Sequence, residues 1–187
     1  MPLAKGWRRL AIAAAFMVCV PAAAAPALLQ YSTYQTADSN GETQSSVQFD
    51  NPTKAGDTIW VVATISDYAG THALTLTDTQ GNVYTQLNQE NDGPPGSQTV
   101  AQFYATNIAG DATTPNTVTL SAGWDDYRGL LITEIAGTAG VPAGNSANIQ
   151  DGLPAGSGNV TSGSMTVAAG QTPALLLAVS TRQTPRP

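Results

Sequence analysis

Thirteen carboxylates, one histidine and one cysteine are the groups with which this 187-residue chain can do chemistry. His72, in SDYAGTHAL, is the sole imidazole, so a Ser–His–Asp relay would have to use it. No G-x-S-x-G elbow supplies the nucleophile, and His72 reads as a loop residue. A three-histidine or H-E-x-x-H zinc site is excluded by the single histidine. That leaves the carboxylates. Glycoside hydrolysis needs two of them at a set separation. Glu134 is the strongest single candidate, because it shares a strand face with Leu130 and Ile132. Arg128 falls on the same face and is expected to pair with it, which makes a structural ion pair the ordinary reading. The adjacent Asp125 and Asp126 are the alternative acid pair for a hydrolase.

Asp78 poses a separate question. The run LTLTDTQGNVYTQL is either a carboxylate loop for a metal or a bend. A calcium loop wants oxygen ligands at alternate positions and a closing Glu. Gln80 and Asn82 offer oxygens, but no second carboxylate follows. Asp78 suits the first position of a type I turn and Gly81 the left-handed position that closes it. A β-hairpin is therefore expected here.

The elements that position these groups are strands. Beyond the N-terminus, β-type runs alternate with turn residues every 8–12 positions, the spacing of sandwiches and barrels. No segment holds a helical period. In GDTIWVVATIS, Ile59, Val61, Ala63 and Ile65 share one face, and Trp60, Val62 and Thr64 share the other. Two apolar faces predict a central strand. Further strands are expected at Gln30–Tyr34, Gln44–Phe49, around Leu74–Thr77, Val83–Leu87, Gln98–Ala105, Thr117–Ser121, Gly129–Ala136, Val160–Val167 and Ala174–Ser180. The stretch from Gly137 to Gly163 is rich in Gly, Ala, Ser and Pro and reads as a long surface excursion. It includes Asn159-Val160-Thr161, a glycosylation sequon.

The first 24 residues have the layout of a secretory signal: Lys5, Arg8 and Arg9, an apolar run from Leu10 to Val20, then small residues. The run is too short for a bilayer span of about 20 residues. Residues 25–187 are then a single domain. Cleavage removes three basic residues and none of the 13 acidic ones, so the mature chain is more acidic than the net −6 of the full sequence. A Lys-poor acidic surface argues against nucleic acid, and against a membrane once the signal is gone. Cleavage also removes Cys19, the only cysteine, and with it any disulfide, thiolate nucleophile or Cys-based zinc site.

Taken in order, GDTIWVVATIS, LTDTQGNVYTQL, AQFYATNIAGDATTPNTVTLSA and YRGLLITEIAG resemble a β-sandwich module of secreted bacterial surface proteins. Its pattern is a GD-hydrophobic strand, a DSxGNxY hairpin, an NIxG…NTVT pair and a strand ending in E-aromatic-S-G. The resemblance runs from about Val47 to Ser180. It implies an extracellular module with no catalytic residues. Ile135 and Ala136 replace the usual aromatic and Ser. The module also implies further strands after Ser180, so the domain is expected to be shortened at its C-terminus or completed by a neighbour.

The overall expectation is an all-β, antiparallel sandwich, jelly-roll or immunoglobulin-like. If consecutive strands run up and down, the loops after the strands at Ile59, Val83 and Thr117 share one end. They bring together Asp67, Tyr68, His72, Glu90, Asn91, Asp92, Trp124, Asp125, Asp126 and Tyr127. Aromatics beside acids suit sugar rings, with Trp124, Asp125, Asp126, Tyr127, Tyr68 and Asp67 as contact residues. Asp92, Asp125 and Asp126 can converge on Ca2+ as the one cofactor to consider. The expected role is a non-enzymatic contact with an extracellular glycan or surface protein. A hydrolase using Glu134 or Asp125/Asp126, and a structural spacer or strand-exchanging subunit, are the alternatives.

Overall fold

A computed structural model describes residues 25–35, 43–66, 73–91, 98–122 and 128–137. Eight strands form within them: β1 (Ala27–Gln35), β2 (Gln44–Gln48), β3 (Thr58–Ser66), β4 (Thr75–Asp78), β5 (Thr85–Asn91), β6 (Gln98–Thr106), β7 (Thr117–Ser121) and β8 (Arg128–Ala136). No helix occurs among the described residues. The segment expected to be a signal and the strands expected at Val160–Val167 and Ala174–Ser180 lie outside them.

The strands make two antiparallel sheets. One has five strands in the order β1-β8-β3-β6-β5, and the other has three in the order β2-β7-β4. The two-faced apolar run of β3 finds its place between β8 and β6. Ile59, Val61, Ala63 and Ile65 enter the main core. There they meet Phe103 of β6 and Leu130 and Ile132 of β8, together with Val47, Leu76, Val118 and Leu120 from the three-stranded sheet. Both sheets thus turn an apolar face to one core, and each fully buried aliphatic side chain contributes about 1.5–3 kcal/mol. The strict alternation in β7 and β2 is the mark of strands buried on one face only.

The other face of β3 is apolar as well. Trp60 and Val62 pack with Ile135, Leu131, Val100 and Tyr104 in a second cluster. Register places Tyr31, Thr133, Trp60 and Tyr104 in one row across four strands of this outer face.

The LTLTDTQGNVYTQL run does not form a hairpin. β4 belongs to the three-stranded sheet and β5 to the five-stranded one, so Thr79–Tyr84 is an arch between sheets. Val83, placed in a strand by the sequence, is 84% exposed and lies in this arch. β5 starts later and runs further than its pattern suggests, taking in Glu90 and Asn91.

Candidate functional site

The strand ends divide the polar groups between two poles. Ser66 pairs with Gln98, Ile65 with Arg128, and Asn91 with Thr99 in the five-stranded sheet. In the other sheet, Thr75 and Gln44 both pair with Ser121. Arg128 joins the sheets at this pole: its Nε donates to Ser45 Oγ at 2.8 Å and a terminal nitrogen to the Gln44 carbonyl at 3.2 Å. The strand ends that flank 67–72, 92–97 and 123–127 therefore lie together. This is the arrangement that alternate strand direction predicts. Trp124, Asp125, Asp126, Tyr127, Tyr68, Asp67, His72 and Asp92 themselves lie outside the described residues. Of the expected group, Glu90 and Asn91 are strand residues of β5, not loop residues.

Glu134 sits at the opposite pole. Six residues separate it from Arg128 along β8, about 20 Å at the rise of a strand. The expected Arg128–Glu134 pair does not form; sharing a strand face is not proximity. Glu134 is 2% exposed. Its Oε2 accepts from Gln30 Nε2 at 2.5 Å and its Oε1 from the Lys54 backbone N–H at 2.7 Å. Gln30 is held in turn by Asn51, donating to its carbonyl and accepting from its N–H, each at 3.1 Å.

A second carboxylate, absent from the sequence-based candidates, completes this cluster. Asp57 precedes β3 and is 6% exposed. Its carboxyl group lies near enough to Glu134 to feel that charge. Burial, then the Glu134 charge, push the Asp57 carboxyl above its ordinary range, against the opposing pull of Lys54. Asp57 Oδ2 has no hydrogen-bond partner. Both carboxyl groups are buried, so neither stands open to a substrate as a glycosidase pair must. The only advance sign of Asp57 was the GD step before a buried strand, which reads equally well as a turn.

Asp78 answers the metal question through its donors. Its Oδ1 accepts from the N–H of Gln80 at 3.1 Å and of Asn82 at 2.9 Å. Its Oδ2 accepts from Asn82 Nδ2 at 2.7 Å, Asn116 Nδ2 at 2.8 Å and the Tyr84 hydroxyl at 2.9 Å. Burial alone would raise its pKa, but these bonds win and hold the carboxyl below its usual range. Five protein donors saturate the carboxylate, so it is an architectural hub. Asn82 extends the hub by accepting from the Ala109 N–H at 2.7 Å, and Thr79 by donating to Asn116 Oδ1 at 2.9 Å. Among the described residues, no group of three or more His, Cys, Asp or Glu is placed to hold a metal ion. No described helix is long and apolar enough to cross a membrane.

Comparison of the chain with family models, with curated proteins and with solved structures finds no match.

Proposed function

We propose that this chain is a secreted, non-catalytic extracellular module of the surface-protein type its motifs resemble, and that it contacts a glycan or a surface protein. We read its two sheets as a sandwich of jelly-roll order. The nested pairing β1–β8, β2–β7 and β3–β6 supports that order over the immunoglobulin one. The carrying observation for function is the shared pole. The strand ends that flank 67–72, 92–97 and 123–127 lie side by side. Trp124, Tyr127 and Tyr68 with Asp67, Asp125 and Asp126 then form one contact surface in this reading. An aromatic face stacks on sugar C–H groups while carboxylates accept hydroxyl hydrogen bonds. The engagement of Glu134 by Gln30, Lys54 and Asp57 favours this reading over a hydrolase.

The test is retention of the protein on arrayed glycans and on extracellular polysaccharide. Trp124→Ala is expected to abolish retention with an unchanged melting temperature, and Glu134→Gln to leave retention intact. Polysaccharide turnover that vanishes in Glu134→Gln would overturn the non-catalytic assignment.

A further inference from the structure

We propose that Asp57 and Glu134 hold a calcium ion at the pole of the fold opposite Arg128. The inference is independent of the glycan or surface-protein contact.

Register puts the site on the inner face of the five-stranded sheet. Gln30 of β1, Glu134 of β8 and Ile59 of β3 are paired across three neighbouring strands. Ile59 belongs to the main core, so the residues paired with it point inward as well. Asp57 stands two residues before Ile59, and its carboxyl group feels the Glu134 charge. A turn closes the site from outside. In it the Asp57 N–H donates to the Lys54 carbonyl at 3.2 Å. The Lys54 N–H donates to Glu134 Oε1 at 2.7 Å, and Gln30 Nε2 to Oε2 at 2.5 Å. The turn is itself pinned, because the Gly56 N–H donates to the Ile108 carbonyl at 3.0 Å and the Ile108 N–H to the Asp57 carbonyl at 3.1 Å.

Two observations point to a bound cation. The first is the pair of carboxylates, at 6% and 2% exposure, whose neighbours leave the charge uncancelled. Glu134 takes its hydrogen bonds from a carboxamide and a backbone N–H, both neutral, and Lys54 is an exposed residue. A carboxylate taken out of water is costly unless it is paired or binds a metal. The second is Asp57 Oδ2, which is buried and has no hydrogen-bond partner. A buried polar oxygen in that state marks the place of an ion or a water.

The donors select the ion. They are all oxygen, which suits a hard cation, and two negative charges suit a divalent one. Among the described residues no third acidic, histidine or cysteine side chain joins the pair, so neutral oxygens must complete the shell. The Lys54 carbonyl accepts from the Asp57 N–H, and the Asn51 carbonyl from Gln30 Nε2 at 3.1 Å. Each of these carbonyls keeps a second lone pair. Calcium accepts carbonyl oxygens in irregular geometry, whereas magnesium holds to an octahedron and keeps several waters, which suits an open site rather than a buried one. Calcium held here ties β8 to the turn that precedes β3.

Equilibrium dialysis of the full chain against calcium, with thermal melts in chelator and in millimolar calcium, tests the site. The parent is expected to bind one calcium more per chain than Asp57→Asn, and its melting temperature to rise with each tenfold increase in free calcium. Glu134→Gln is expected to lose the same ion. In chelator Asp57→Asn is expected to melt above the parent, since it removes an uncompensated charge, and to lose that lead as calcium is added. This reversal separates lost binding from lost structure. Asp125→Asn with Asp126→Asn is expected to leave the Asp57-dependent ion bound, which distinguishes this site from those residues. Equal calcium bound by the parent and Asp57→Asn would overturn the proposal, and so would a parent whose melt ignores calcium. An equal rise in magnesium would overturn the choice of calcium.

Discussion

The Tyr84 hydroxyl donates to Asp78 Oδ2 at 2.9 Å, which ties the two ends of the arch between the sheets. Asn116, fully buried ahead of β7, donates to the same oxygen. Replacing Asp78 by Ala strands both donors. A buried unsatisfied donor costs about 1–3 kcal/mol, so Asp78→Ala is expected to lose about 3 kcal/mol or more in urea unfolding. Tyr84→Phe removes one donor and leaves four, so a loss near 1 kcal/mol is expected. Equal losses in the two variants would show that the hub is not organised around the carboxylate.

Acid pH separates this hub from the carboxyl pair. Asp78 has a folded pKa below its unfolded value. Its stabilisation is present above about pH 3.9 and is lost as pH falls through the folded value. Asp57 has the opposite sign. Its contribution is complete below about pH 3.9 and is lost as pH rises through the raised folded value. Asp57→Asn removes the negative charge beside Glu134. It is expected to raise stability by about 1–2 kcal/mol at pH 7, with the gain shrinking toward pH 4. Thermal melts across that range check the slope, and a gain independent of pH would rule out a raised Asp57 pKa.

Gly110 is a position where no side chain fits. Its φ is +61°, and an added Cβ would overlap Ala55 N and lie 2.6 Å from the Lys54 carbonyl carbon. Both obstacles are backbone, so no rotamer change relieves them. The segment is pinned there because the Asp111 N–H donates to the Thr53 carbonyl and the Ile108 N–H to the Asp57 carbonyl, each at 3.1 Å. Gly110→Ala is expected to destabilise by about 2–4 kcal/mol. Gly81→Ala, left-handed but with nothing within 4 Å, is expected to lose only about 1 kcal/mol. Equilibrium unfolding of the pair measures the difference.

Calcium tests the acidic residues expected to converge. A ligand bound only by the native state raises the melting temperature. If Asp92, Asp125 and Asp126 converge on Ca2+, millimolar calcium is expected to stabilise the chain, and Asp125→Asn with Asp126→Asn to remove the shift. A melt indifferent to calcium takes these residues out of metal chemistry.

Period-two patterning pointed to each described strand, with the bounds of β1 and β5 misplaced. β3 declared its central place through two apolar faces, and β7 its half-buried place through Thr and Ser alternating with Val118 and Leu120. Strand partnership was not legible. Asp78, Gly81 and Asn82 encode a bend, but the same turn chemistry serves a hairpin and an arch between sheets. Which one forms is decided by β7 taking β4 and by β6 taking β5, contacts remote in sequence. Glu134 was placed on the face of Leu130 and Ile132, yet its hydrogen-bond partners come from Gln30 and Lys54 on other segments. Face and periodicity name which side of a sheet a residue takes; they do not say who stands opposite.

The strand order also sets the timing of self-assembly. β5 and β6 are joined by a short connection and can pair as soon as both exist. Every other ladder waits: β2 for β7, β3 for β6, and β1, the first strand synthesised, for β8. Ala27 meets Ala136 only after almost the whole described chain is available. Pairings this distant make loop closure the barrier, and folding is expected on the slow, millisecond-to-second scale of non-local β proteins. Until β8 arrives, β1 has no partner among the described strands, so the nascent chain carries it unpaired for the longest time.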